Sequence, residues 1–162
     1  AGTMSTTTQI NSEEFLRVFT PLLEAGQDVA MAILGDVSIY STYCYMMELL
    51  KAEGFPCVMV PGVPSFCAVA ARLGRSLTEP DQPLHIIPGG GPGLGEALDL
   101  PGSKVLMKAG RNHQKLLEEL EARKLLDRAA MVENCGLPEE RPFADLTGKP
   151  DSNGYFTTVI IP

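Results

Sequence analysis

The sequence predicts an α/β fold, because apolar segments of strand length alternate with segments of helical periodicity. Strands are predicted at residues 29–33 and 57–60, and helices at residues 40–53 and 66–73. The first predicted strand is apolar on both faces, as in a parallel sheet that helices cover on both sides. The repeated order of strand and helix is that of an α/β sheet.

A helix is predicted ahead of the first strand. Asn11 and Glu14 have the spacing of a capping box, and Gly26 stands where a C-cap would end the helix. Pro21 interrupts the helical pattern, so we expect a kink there.

A change of composition divides the chain. Residues 76–83 are polar and include two prolines, which is typical of a linker between domains. We therefore expect a partial N-terminal α/β domain over residues 1–77 and a mixed α+β C-terminal domain over residues 78–162. The second domain has one predicted helix, which begins at Asn112 and ends near Arg123. Its predicted strands are short apolar segments: residues 84–87, 104–107, 129–133 and 157–161.

Two segments of the second domain are rich in turn residues. The stretch PGGGPGLG, residues 88–95, follows a strand, but no acidic residue stands about 20 positions later as in a dinucleotide-binding loop. We expect a flexible surface loop there. Asn153-Gly154 favours a hairpin turn before the last strand.

Composition and charge exclude several classes of protein. Apolar residues make up 44% of the 162 and charged residues 20%, which is ordinary for a globular protein. The net charge of −7 disfavours nucleic acid as a partner, since non-specific binding neutralises phosphates. No membrane span or signal peptide is recognisable, so a cytoplasmic location is expected. The four cysteines and two histidines lack zinc-ligand spacing, so no metal is expected.

Two loops at predicted strand ends are the candidate binding site. The stretch ILGDVSIYSTY, residues 33–43, follows the first strand, and PGVPS, residues 61–65, follows the second. Ligands of α/β sheets bind outside the carboxyl ends of the strands. Asp36 either fixes its loop by accepting hydrogen bonds from loop amides or faces a ligand, and the sequence leaves both roles open.

A basic stretch offers a second candidate surface. Residues 101–128 contain seven Lys or Arg against four Asp or Glu. They form either a face that receives an anionic small molecule or a solvated helix with alternating charges.

Five ordered motifs resemble those of a known family. GDVSIYSTY resembles the GDPS-type loop of the tetrapyrrole (corrin/porphyrin) methyltransferases, and VPGVPSFCAVAARLG resembles their PGITS-type loop and helix. LHIIPG, LPGSKVLMKAGRN and VENCGLPEER follow in the family's order. The resemblance runs from about Ser12 to the end of the sequence. Its YST, PSF and MKxGRN segments are most similar to those of the precorrin-2 (or cobalt-factor II) C20-methyltransferases.

The resemblance implies a homodimeric enzyme of cobalamin biosynthesis that transfers a methyl group from S-adenosylmethionine to carbon C20 of a tetrapyrrole. Carried over by motif, the expected cofactor contacts are Leu34, Gly35, Asp36, Ile39, Ser41, Thr42, Val63, Pro64, Ser65, Lys108, Ala109 and the region of Cys135. Because the substrate carries many carboxylates, Lys104, Lys108 and Arg111 are candidates for anchoring it. The base that removes the C20 proton is not identified, and Asp36 and Tyr40 are candidates for it.

The sequence departs from the family's pattern at three places. Val37 replaces the usual proline after Gly-Asp, and Val63-Pro64 replaces Ile-Thr in the second loop, which removes a hydroxyl. The family's N-terminal strand and GPGDP-type loop have no counterpart here, so we expect a part of a longer enzyme.

Two alternatives stay open. The first is methylation of another substrate, such as uroporphyrinogen III, another corrin position, an rRNA ribose or diphthine. The second is a non-catalytic binding or oligomerisation module.

Overall fold

A computed structural model describes residues 12–152 and 154–162, without the side chains of Ser12 and Arg111. The chain divides into two compact units, Ala1–Gly62 and Val63–Pro162. The domain boundary predicted between residues 77 and 78 stays a prediction. The predicted cap at Asn11 and the predicted turn at Asn153 lie outside the described residues.

The described part of the first unit contains two helices that pack against each other. Helix α1 spans Ser12–Glu24 and helix α2 spans Tyr43–Ala52. Pro21 lies inside α1, which continues to Glu24, so the proline does not end the helix. Phe15 is buried on the inner face of α1, and its ring centroid lies 4.5 Å from that of Phe19.

The two strands predicted for the first unit do not form in its described part. Along residues 55–60 the side chains alternate between half-buried and exposed, as they do in a strand, but no ladder forms there or at residues 29–33. Val58 and Val60 expose 80% and 77% of their surface. A strand needs a neighbour to bond its backbone groups and a layer to cover its side chains. The described residues of this unit supply neither, so the periodicity alone does not make a strand.

The second unit is a five-stranded mixed sheet with helices, as the predicted α/β class requires. The strands are β1 Leu84–Pro88, β2 Ser103–Met107, β3 Ala130–Glu133, β4 Arg141–Phe143 and β5 Thr157–Ile161. The helices are α3 Ser65–Leu73, α4 Leu94–Asp99 and α5 His113–Ala122, and a 3-10 turn spans Ala109–Asn112. The strand order is β1-β2-β5-β3-β4. Helix α4 and strand β4 were not predicted, because the first follows four glycines and the second is only three residues long.

One apolar cluster forms the core of the second unit. Leu106 of β2, Met131 of β3 and Val159 of β5 are fully buried in it, together with Leu116 and Leu120 from one face of α5. Interiors of this kind are close-packed and rigid. The loops at the ends of the central strands are therefore held on a fixed scaffold.

Candidate functional site

Four chain segments meet at one edge of the sheet in the second unit. Strand β5 is antiparallel to both β2 and β3, and β1 is parallel to β2, so β1, β2 and β3 run in the same direction. Their carboxyl ends therefore lie at one edge together with the start of β5. We call the segments 88–90, 107–112, 133–135 and 154–158 the carboxyl edge. In α/β sheets ligands bind outside such an edge.

The turn after β2 places the cation of Lys108 at the carboxyl edge. Lys108 has a left-handed backbone, with φ of 56°, and leads into the 3-10 turn that begins at the buried Ala109. The Lys108 Nζ lies 5.6 Å from the centroid of the Tyr155 ring, which is within the range of a cation–π contact. Half of the surface of Tyr155 is exposed. Tyr155 was not predicted as a site residue, and its signal in the sequence is an aromatic pair directly before the last strand.

The glycine-rich segment after β1 packs against this turn. The Gly89 amide donates to the Met107 carbonyl at 2.7 Å, and the Asn112 side-chain amide donates to the Gly90 carbonyl at 2.8 Å. A Cβ on Gly89 would lie 2.8 Å from the Ala109 Cα, and one on Gly90 would lie 2.7 Å from the Asn112 Nδ2. The expectation of a flexible surface loop is therefore wrong for these two glycines, which are needed for close packing.

Ser65 joins the carboxyl edge from the start of α3. Its hydroxyl lies 3.3 Å from the Thr158 hydroxyl, at hydrogen-bonding distance. Thr158 pairs with Met107 in the ladder between β2 and β5, so Ser65 and the Lys108 turn share one end of the sheet. Pro64 precedes the helix in extended conformation.

The segment after β3 is tied to helix α3. Cys135 is half-buried there, and burial together with the neighbouring Glu140 carboxylate raises the pKa of its thiol. Glu140 accepts a hydrogen bond from the Gly136 amide at 2.8 Å and an ion-paired hydrogen bond from Arg72 of α3. The raised pKa keeps Cys135 a neutral thiol at pH 7 and argues against a nucleophilic role.

A buried carboxylate fixes the chain opposite the Lys108 turn. Glu133, the last residue of β3, accepts hydrogen bonds from the Ser152 hydroxyl and the Gly154 amide, both at 3.0 Å, and from Arg141 at 2.9 Å. The Gly154 carbonyl packs so closely on Gly110 that no Cβ fits there. Glu133 thereby positions the backbone against which the turn rests. Glu133 was not predicted as a site residue, and its signal in the sequence is an acid at the end of an apolar strand.

Asp36 fixes two loops of the first unit. Its Oδ1 accepts hydrogen bonds from the Ser38 hydroxyl and, at 2.8 Å, from the Ser38 amide, while its Oδ2 accepts from the Gly62 amide at 2.8 Å. A Cβ on Gly62 would collide with the Gly35 carbonyl. The hydrogen bonds from Ser38 and Gly62 lower the pKa of Asp36. Of the two roles that the sequence left open, the geometry shows loop fixing.

The rest of that turn leads directly into α2. The Ile39 amide donates to the Asp36 carbonyl at 3.4 Å, and the Tyr43 amide donates to the Ser41 hydroxyl at 3.1 Å. Tyr40 has a left-handed backbone, with φ of 51°. The predicted contacts from Leu34 to Thr42 therefore belong to one compact turn.

The structure separates two of the predicted substrate anchors. Lys104 is the second residue of β2, whereas Lys108 follows its last residue. At about 3.3 Å per residue the two Cα atoms are about 13 Å apart along the strand. The side chain of Arg111 lies outside the described residues.

Among the described helices, none is both long and apolar enough to cross a membrane.

Comparisons with known proteins identify the family. The family described as Tetrapyrrole (Corrin/Porphyrin) Methylases matches residues 2–150. Precorrin-2 C(20)-methyltransferase of Sinorhizobium is 32% identical, over 86% of this chain and 58% of its own length. The X-ray structure of the cobalt precorrin-4 methyltransferase CbiF has a TM-score of 0.78 at 20% identity, covering 96% of this chain and 72% of that one.

A second solved structure shares the fold. Uroporphyrin-III C-methyl transferase from Thermus thermophilus, complexed with S-adenyl homocysteine, has a TM-score of 0.58 at 21% identity, covering 78% of this chain and 62% of that one. Among curated relatives that align with 86% or more of this chain, the chain spans 28–64% of the relative's length. With a family match over most of its residues, the chain belongs to the tetrapyrrole (corrin/porphyrin) methylase family.

Proposed function

We propose that the chain is part of an S-adenosylmethionine-dependent methyltransferase of cobalamin biosynthesis, which methylates C20 of precorrin-2 or cobalt-factor II. The observation that carries the proposal is the carboxyl edge, where Ser65 of the PSF motif contacts Thr158 and Thr158 pairs with Met107 of the MKxGRN motif. The C(20)-methyltransferase of Sinorhizobium supports the position of methylation. The S-adenyl homocysteine held by the Thermus thermophilus relative supports the cofactor.

The groups at the carboxyl edge fit this cofactor. Ser65 and Thr158 offer hydroxyls, Lys108 offers a cation for a carboxylate, and Tyr155 exposes an aromatic ring. Small-molecule sites combine apolar surface with a few placed polar groups of this kind. Gly110 has no Cβ, so the backbone of the turn packs directly against the Gly154 carbonyl.

The remaining cofactor contacts stay proposals carried over by motif. They are Val63, Pro64, Ala109 and the region of Cys135 in the second unit, and Leu34, Gly35, Ile39, Ser41 and Thr42 in the first. Asp36 contributes by fixing its turn through Ser38 and Gly62.

Methyl transfer of this kind depends on positioning. S-adenosylmethionine supplies an electrophilic methyl group, and the displacement requires no covalent nucleophile from the protein. Holding two reactants in register lowers a barrier by roughly 7–11 kcal/mol. Lys108 and, by prediction, Arg111 anchor substrate carboxylates. Asp36 is a poor candidate for the base that removes the C20 proton. Its lowered pKa makes it a weaker base, and both of its oxygens already accept hydrogen bonds. Tyr40 stays a candidate for that base.

Calorimetric titration with S-adenosylhomocysteine, on the full-length protein that contains this chain, tests the cofactor. Ser65→Ala and Lys108→Met each remove one polar contact and should weaken binding about tenfold. Lys115→Met, which changes an exposed lysine of α5, is the matched control and should leave binding unchanged. Absence of saturable binding by the unsubstituted protein would refute the proposal.

A second assay tests the substrate. The full-length protein is incubated with the cofactor and either precorrin-2 or uroporphyrinogen III, and methylation of precorrin-2 at C20 is expected. Methylation of uroporphyrinogen III instead would assign another role within the family, and methylation of neither would favour a binding module.

We also propose a homodimer, which light scattering of the purified protein tests. The cytoplasmic location stays a prediction.

A further inference from the structure

His113 joins the turn of the carboxyl edge to a chain segment that lies 37 residues further along the sequence. It is the first residue of α5 and follows the 3-10 turn Ala109–Asn112 directly. Its Nε2 donates to the Pro150 carbonyl at 2.7 Å. Because a carbonyl oxygen can only accept, the ring carries a proton on Nε2. The sequence analysis gave this histidine no role beyond the absence of zinc-ligand spacing.

The ring of His113 is enclosed by protein, since the residue exposes only 5% of its surface. Among the described residues, its Nδ1 is the one buried side-chain nitrogen or oxygen without a hydrogen-bond partner. A buried polar atom without a partner costs free energy, which an apolar side chain at this position would avoid. The presence of a histidine therefore needs an explanation, and the hydrogen bond from Nε2 provides one.

The acceptor of this hydrogen bond belongs to the segment that Glu133 holds. Pro150 lies two residues before Ser152, whose hydroxyl donates to the buried Glu133 carboxylate at 3.0 Å. The Gly154 amide donates to the same carboxylate, also at 3.0 Å. Pro150 is therefore anchored to the end of β3, and it offers His113 an acceptor at a defined position.

The turn after β2 is fastened at two points. In its middle, Gly110 packs so closely on the Gly154 carbonyl that no Cβ fits there. At its end, His113 donates to the Pro150 carbonyl. Lys108, at the start of the turn, has a left-handed backbone, which a lysine keeps only where the surrounding structure imposes it. The hydrogen bond from His113 is one of the contacts that impose it.

We propose that His113 is a positioning residue of the cofactor site. By donating to Pro150 it holds the turn with Lys108 and Ala109 in the conformation that binds S-adenosylmethionine. The inference rests on the function proposed above, and it adds a residue that acts through the backbone of the turn, because its own ring is enclosed by protein. Misplacement of a site group by about 1 Å costs an enzyme about a hundredfold in rate, so such support matters.

Calorimetric titration with S-adenosylhomocysteine, on the full-length protein that contains this chain, tests the role of His113. His113→Leu removes the donor and should weaken binding about tenfold. His113→Gln keeps an N–H near the position of Nε2, so it should bind within about threefold of the unsubstituted protein. Lys149→Met is the matched control, because it breaks an exposed ion pair that ties the same segment to Glu121 of α5. It should leave binding unchanged.

Stability separates positioning from a merely structural role. His113→Leu loses one hydrogen bond but also removes the unpaired Nδ1, and these two effects on stability oppose each other. Its melting temperature should therefore stay within about 4 °C of that of the unsubstituted protein. Hydrogen exchange without cofactor, measured by mass spectrometry, should nevertheless accelerate around Gly110 and Pro150 in His113→Leu and not in His113→Gln.

Three results would overturn the proposal: unchanged binding by His113→Leu, equally weak binding by His113→Gln, or a fall in the melting temperature of His113→Leu beyond about 4 °C. The third would indicate a structural role alone. Absence of binding by the unsubstituted protein would instead refute the proposed function. The exchange measurement then decides by itself whether His113 holds the turn, and unchanged exchange in His113→Leu would exclude that.

Discussion

Replacement of Glu133 by alanine is the most direct test of the buried carboxylate that positions the carboxyl edge. Glu133 accepts hydrogen bonds from Ser152, Gly154 and Arg141. The substitution leaves the half-buried Gly154 amide without an acceptor, which costs about 1–3 kcal/mol, whereas the Ser152 hydroxyl can still donate to the Thr157 hydroxyl, 3.1 Å away. Arg141 is exposed enough to turn into solvent, so its ion pair adds little. The expected loss is about 1–3 kcal/mol, against a typical total stability of about 5–15 kcal/mol.

Urea denaturation followed by circular dichroism measures the loss, and amide hydrogen exchange of β3 and β5 assigns it to the second unit. Glu133→Gln keeps one acceptor oxygen for Ser152 and Gly154, so it should cost less than Glu133→Ala. Glu139→Ala, at an exposed site nearby, should stay within about 0.5 kcal/mol of the unsubstituted chain. A Glu133→Ala chain that loses less than about 0.5 kcal/mol, no more than the surface control, would refute the reasoning, because an amide left without its acceptor costs more than that.

Two further predictions concern the loops. Gly110→Ala forces a Cβ against the Gly154 carbonyl, so it should lower the free energy of unfolding in urea by about 1–3 kcal/mol. Gly148→Ala, which has open space around it, is the control and should be near neutral. Equal stabilities of the two variants would contradict the tight packing at Gly110. Folding lowers the pKa of Asp36, so the ionised carboxylate stabilises the folded chain. This stabilisation is fully present above the unfolded pKa of about 3.9, and it is lost as the pH falls through the lower folded pKa. Carboxyl NMR should show Asp36 titrating at a lower pH in the folded chain than in the urea-unfolded chain, and an Asp36 pKa that is not lowered on folding would exclude the bonds from Ser38 and Gly62.

The sheet of the second unit was largely predictable from local sequence. The predicted segments 84–87, 104–107, 129–133 and 157–161 agree with β1, β2, β3 and β5 to within a residue at each end. Short apolar runs bounded by Gly, Pro or polar residues are strong strand signals when neighbours exist to pair with them. The order of five motifs along the chain likewise predicted the family, which the comparison confirmed.

The strands predicted for the first unit do not form in its described part, whereas those predicted for the second unit do. Both outcomes depend on whether a pairing partner is present. Apolar character favours a strand, but pairing partners and a covering layer decide whether it forms. The described residues 12–62 supply neither for residues 29–33 or 57–60, and Val58 and Val60 stay exposed. No local pattern reports the presence of a partner that lies elsewhere.

Sequence alone determined the α/β class, the second unit's central strands and the membership of the family, because these depend on local patterns and on motif order. Only the tertiary structure decided the roles of single side chains. It bonded Asp36 to Gly62, 26 residues away. It also brought Glu133 to Ser152 and Ser65 to Thr158. Such contacts join residues far apart in the chain, so no local pattern encodes them.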